Sequence, residues 1–181
     1  GTLRIAVPDL EAILHSYLAA LEAARAGEIG ARDRLLWMQT ELIDQMTRRY
    51  SGGLMAPAWQ KADDALATFI HSRVGGELDT IPRAPQPSPL SLPERPLSFS
   101  LPDTEFLFNG ECHQWMYDSF SLSLLLQEAG FINIRATSHR SDKMGGFQPD
   151  CNEQGKARKP DSFYMEAEKP AGSPTSPVIT L

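Results

Sequence analysis

His113, Trp115 and Tyr117 alternate along one short run, which places two aromatic side chains beside the one side chain whose ordinary pKa suits proton transfer near neutral pH. The same run contains Met116 and ends on Asp118. Far upstream, Asp9 follows Pro8 at the end of an apolar stretch, where a carboxylate can act on a hydroxyl or cap the helix that begins there. Both readings of Asp9 stand. For the other three residues the alternative to chemistry is packing, because aromatics ahead of a helix commonly staple one element to another around a hydrogen-bonded histidine.

Cys112, His113, His139 and Cys151 supply the donor types of a Cys2His2 metal centre, but adjacent Cys and His side chains do not readily reach one tetrahedral ion. No Cys-x-x-Cys or His-x-x-x-His spacing supports them, so no metal site is expected. His15 falls beside the apolar stripe of the first helix. His71 falls near the end of a later one, where a cation is favourable.

The elements that must position these residues are legible from periodicity. Leu3-Arg4-Ile5-Ala6-Val7 is a short apolar strand that stops at Pro8-Asp9. From Leu10, apolar residues at Ile13, Leu14, Tyr17, Leu18 and Leu21 predict an amphipathic helix up to Gly27. A second helix is predicted from about Arg32 to Tyr50, and a less regular third one around Leu66, Phe69, Ile70 and Val74. From Ile81 to Pro102 the chain is rich in proline, which forbids a helix and suggests an extended connector. Phe106 and Phe108 alternate in Thr104 to Gly110, the pattern of a short strand.

After the aromatic run, Asp118 is placed to cap a helix carrying Leu122, Leu125 and Leu126 on one face, and Gly130 to take the left-handed position beyond its end. Ile132, Ile134 and Ala136 then alternate with Asn133 and Arg135, as Phe163, Met165 and Ala167 do with Tyr164, Glu166 and Glu168. Each predicts a strand with one covered face. The intervening Ser138 to Asp161 is polar, with turn signals at Gly145-Gly146 and Pro149-Asp150, and reads as a variable hairpin loop or a flap.

A helix ending Leu-Leu-x-x-Ala-Gly-Phe, followed by two closing strands and preceded far upstream by a Val-Pro-Asp strand end, resembles the last third of class I S-adenosylmethionine-dependent methyltransferases. The His-x-Trp-Met-Tyr-Asp run is similar to one found in a bacterial methyltransferase-domain subgroup of that family. The resemblance implies an α/β fold, the C-terminal part of a Rossmann-like sheet comprising strands five to seven, with a helical insertion. It divides the chain into a fifth strand over 1–11, a helical insertion or cap over 12–80, a Pro-rich linker over 81–103, the last helix with its closing two-strand hairpin over 104–170, and a disordered tail over 171–181.

The implied activity is methyl transfer from S-adenosylmethionine to a small-molecule or glycan hydroxyl. Trp115 or Tyr117 would line the acceptor pocket, with His113 orienting or deprotonating the hydroxyl and Asp9 on the same edge. The family holds the cofactor with a Gly-rich turn and an acidic residue from its first half. Here Gly52-Gly53, Gly75-Gly76 and Gly145-Gly146 are the close glycine pairs, none follows an apolar strand, and no Gly-x-Gly occurs. The expectation is a chain that begins inside the domain, lacks the cofactor-binding half and is inactive alone.

A net charge of −6 offers no phosphate-binding footprint, so nucleic acid is not an expected partner. Two cysteines cannot make a disulfide scaffold and no membrane-length apolar run is present, so a cytoplasmic location and no membrane partner are expected. The competing class is a non-catalytic methyltransferase-like module that associates with a partner, or with itself, through an exposed sheet edge.

Overall fold

The computed structural model describes residues 1–91 and 104–171. The tail expected over 171–181 lies almost wholly outside the described residues, as does the second half of the Pro-rich stretch.

Strand β1 (Thr2–Pro8) leads directly into helix α1 (Leu10–Arg25), and α2 (Ala31–Thr47), α3 (Met55–Lys61) and α4 (Asp64–Val74) follow, with a short 3-10 turn at Gly75–Leu78. Beyond the undescribed segment come α5 (Thr104–Phe108), α6 (Ser119–Glu128), β2 (Ile132–Thr137) and β3 (Ser162–Glu168). The protein is thus a mixed α/β chain with a three-stranded sheet of order β1-β3-β2. β3 runs antiparallel to both neighbours. β1 and β2 are therefore parallel to each other, one on each side of it.

The helices form one apolar cluster in which Ile13 of α1, Trp37 and Met38 of α2, and Ile70 of α4 are completely buried. Each such side chain contributes about 1.5–3 kcal/mol by leaving water. Inside this cluster Glu41 is fully buried, accepting a hydrogen bond from Trp37 Nε1 at 2.9 Å and pairing with Arg73 at 2.7 Å, which ties α2 to α4. At the far end of α2, Asp44 accepts from Leu54 N at 2.7 Å and from Arg48 at 2.9 Å. Gly53 sits against this carboxylate with φ 47°, where a Cβ would collide with it.

A second cluster lies on one face of the sheet, where Leu122 and Leu126 of α6 cover Met165 and Ala167 of β3. Helix α6 is terminated as its sequence dictates. Asp118 accepts from Ser121 N at 2.7 Å while Ser121 Oγ accepts from Asp118 N at 3.2 Å, and Gly130 takes φ 81°. Leu125, expected on the covered face, is 45% exposed.

Several expectations need correction. Residues 104–108 form a helix, not a strand: a two-aromatic alternation is too short to fix a period, and the segment has no strand neighbour in the sheet. Helix α3 interrupts the expected run of three helices; with seven residues and Pro57 inside it, it leaves little periodic signal. The even alternation of β2 is broken by a bulge between Ile132 and Arg135, with Asn133 at φ 51°, so Ile132 faces outward.

Residues 81–91 of the Pro-rich stretch are anchored, not loose. Ala84 N donates to Gln60 O and Ser88 N to Lys61 O, Ile81 O accepts from Trp59 Nε1 at 2.8 Å, and Leu90 is buried in the helical cluster.

The largest departure concerns β3, which is covered on both faces. Tyr164 and Glu166 are as buried as Met165 and Ala167, because the 138–161 loop folds back over the polar face. Arg4, directly opposite Glu166 in the register, bonds Glu166 at 3.0 Å, Asp150 at 2.7 Å, Thr137 at 3.0 Å and Ser138 O at 2.8 Å. Arg135 and Ser141 complete the Glu166 shell. Burial alone would push the Glu166 carboxyl up, but hydrogen bonds from Ser141, Arg135 and Arg4 outweigh it and hold it below the usual range.

Candidate functional site

The carboxyl end of β1 is where the pieces converge. Asp9 N donates to Asp161 O at 2.8 Å, extending the β1–β3 pairing by one step, and Leu10 N donates to Tyr117 O at 3.1 Å. A parallel bridge joins Asp9 to Tyr117. The aromatic run is thereby laid beside the strand end, with Met116 in the helical cluster and Tyr117 against the sheet cluster. His113 N donates to Gln45 O at 2.8 Å, which fixes the start of the run on α2.

These contacts border an open cavity of about 580 Å³, a volume suited to a small organic ligand. His113, Trp115, Tyr117 and Asp161 line it, together with Arg48, Met55, Leu78, Glu77 and Lys159. Trp115 is 66% exposed and Tyr117 half-buried. Three of the four expected site residues therefore share one cavity. The fourth, Asp9, does not line it.

Asp9 instead caps α1, accepting from Ala12 N at 3.0 Å. Asp9→Ala is expected to lower stability by about 1 kcal/mol in urea unfolding, whereas Asp9→Asn, which caps equally well, leaves the midpoint unchanged. A loss of ligand binding in Asp9→Asn with stability intact would return a chemical role to this residue.

Burial lowers the His113 pKa, and the Arg48 and Lys159 cations lower it further against the opposing charge of Glu77. The imidazole is consequently neutral at physiological pH, the form that can accept a proton or a hydrogen bond. Asp161 is displaced the other way. Its carboxyl is raised from an ordinary 3.8 to about 6 by burial first and then by the carboxylates of Glu41 and Glu77, opposed by Lys159 and by the hydroxyl of Ser162. The two groups facing the cavity are displaced in opposite directions, and with Asp161 near 6 both are mainly in their proton-accepting forms at neutral pH.

Asp161 was not among the residues singled out by type and spacing. Its signal was faint: an acidic residue at the last position before an apolar strand, after a run of cations. Reaching it required knowing that the hairpin loop returns to the end of β1.

The four potential metal donors are dispersed. Cys112 Sγ contacts Met46 O and His113 faces the cavity, while His139 Nε2 lies 3.2 Å from Gly155 O and Cys151 Sγ contacts His139 O within the hairpin loop. Among the described residues no group of three or more His, Cys, Asp or Glu side chains could hold a metal ion. Among the same residues no helix is long and apolar enough to cross a membrane. Neither protein-family models, nor curated proteins, nor solved structures yield a match to this chain.

Proposed function

We propose that this chain is the acceptor-side, C-terminal portion of an S-adenosylmethionine-dependent methyltransferase acting on a small-molecule or glycan hydroxyl. The observation that carries the reading is the strand order. β3 lies antiparallel between two mutually parallel strands, β1 and β2, with α6 entering β2 and covering one face. A closing hairpin whose last strand turns back between its predecessors is the arrangement that strands five to seven of the resembled fold adopt. The cavity at the carboxyl end of β1 adds support, because open α/β sheets place ligands outside that end.

In this reading the hydroxyl enters between Trp115 and Tyr117, and neutral His113 orients it and accepts its proton. Methyl transfer depends chiefly on in-line positioning, so the cavity's task is to hold the acceptor oxygen in place and keep water out. Among the described residues no glycine-rich turn follows a strand to cradle S-adenosylmethionine. The close glycine pairs lie after α2, after α4 and inside the hairpin loop, none at the carboxyl end of a strand. In this reading the donor would be held by residues other than these, in cis or in trans.

Isothermal titration of S-adenosylmethionine tests this, using the chain as it stands and the chain lengthened at its amino end by any residues its gene encodes upstream. Saturable binding is expected only in the lengthened form. Binding by the short chain would overturn the division of labour, and silence from both would overturn the methyltransferase reading.

One observation favours a second reading, a non-catalytic module. Among the described residues β1 pairs as a strand with β3 alone, so its other edge carries unpaired backbone groups along an apolar strand. A concentration-dependent dimer in size-exclusion chromatography, combined with no cofactor binding by the lengthened chain, would select it.

A further inference from the structure

We propose that Asp161 is the hydroxyl-binding residue of the cavity and that the ligand it serves is a neutral sugar ring lying on Trp115. This deepens the methyltransferase reading by naming the acceptor, and rests on it only in taking this cavity as the acceptor side.

Asp161 is 7% exposed; among the described residues Ser162 Oγ donates to its Oδ1 at 3.2 Å, while its second oxygen is not sealed from solvent and can take a donor in the cavity that the residue lines. Its backbone carbonyl accepts from Asp9 N at the end of β1, which sets the residue at the cavity wall. Sugar hydroxyls are suitable donors.

Charge selects against an anion. Lys159, the cation acting on Asp161, is paired with Glu77 at 2.7 Å, and Arg48, which lines the same cavity, is paired with Asp44 at 2.9 Å. Asp161 itself faces Glu77 from the 3-10 turn and Glu41 from α2, with neutral His113 on the aromatic run, so an added negative charge would meet carboxylates and cations that are already paired. Trp115 supplies the apolar complement: an indole left 66% exposed on the cavity wall offers a flat face to the C–H side of a pyranose while its neighbours address the hydroxyls.

The test is titration of methyl α-glucoside, methyl α-galactoside and methyl α-mannoside into the full chain, followed by heat or by saturation-transfer NMR, with methyl glucuronide as the charged comparison. At least one neutral glycoside is expected to bind saturably and more tightly than the glucuronide. Asp161→Asn and Trp115→Ala are each expected to weaken it at least tenfold, with circular dichroism unchanged, while Asp9→Asn binds as the parent does. Failure of every neutral glycoside to bind, tighter binding of the glucuronide, or equal binding by Asp161→Asn would each overturn the proposal. Because these titrations contain no S-adenosylmethionine, they stand or fall separately from the methyl-transfer reading.

Discussion

Arg4→Ala is expected to destabilise the chain by about 3–5 kcal/mol in urea unfolding at neutral pH, a large fraction of the stability of a domain this size. The guanidinium is the single cation shared by Asp150 and Glu166, and both it and Glu166 are almost wholly buried. Removing it takes the cation from Asp150 and one of two from Glu166, which keeps Arg135, while also releasing Thr137 and Ser138 O. The consequence extends to the 138–161 loop, whose attachment to the sheet depends on Asp150 and Ser141. Limited proteolysis of Arg4→Ala is expected to cut first within that loop. A midpoint shift worth less than about 1 kcal/mol would mean that the loop is held by its apolar contacts and that the ion cluster is incidental.

Asp161→Asn is expected to act in the opposite direction. In the parent the folded carboxyl titrates near 6 and the unfolded one near its ordinary 3.8, so between those values the folded state retains a proton that the unfolded state has lost. Stability from this group is fully present below the lower value and is lost as pH rises through the higher one. The full difference corresponds to about 3 kcal/mol. The amide carries no such penalty. Asp161→Asn should match the parent at about pH 4 and exceed it by up to about 3 kcal/mol above about pH 7.

Subtracting the two stability curves removes the opposing contribution of Glu166, whose lowered folded value gives stability that is lost as pH falls through it. A flat difference curve would show that Asp161 is solvated or paired in solution. Gain in stability with loss of ligand affinity is the pattern expected where a site has kept a destabilising group for its function.

The contrast between these two residues explains what the sequence could and could not disclose. The capping box at Asp118 and Ser121, the left-handed Gly130 and the strand ending at Pro8 are local features, decided by residues a few positions apart. They are found where the chain spacing puts them. The Arg4–Glu166 pair had a readable trace, since each is a charged residue in the middle of a strand. Recognising it required the register that sets them opposite one another. Alternation suggested a solvated face there, because a period of two cannot distinguish a polar face in water from a polar face covered by a folded loop.

The candidate site was legible in part for the same reason. His113, Trp115 and Tyr117 are close in sequence and arrive in one cavity together. Asp161 comes from the other end of a long loop, and its unusual titration depends on Glu41 and Glu77, contributed by two other elements. Asp9 was legible as a cap because capping involves only its own next few residues.

The central claim is that the cavity at the end of β1 presents a hydroxyl for methylation with His113 as its proton acceptor. The most direct measurement is transfer of a labelled methyl group from S-adenosylmethionine to the glycoside that binds, by the chain lengthened through any residues its gene encodes upstream, compared with the same protein carrying His113→Ala. The account predicts label on a glycoside oxygen and a fall of about a hundredfold or more in His113→Ala, with cofactor affinity unchanged. Absence of transfer by the lengthened parent, or equal transfer by His113→Ala, would contradict it.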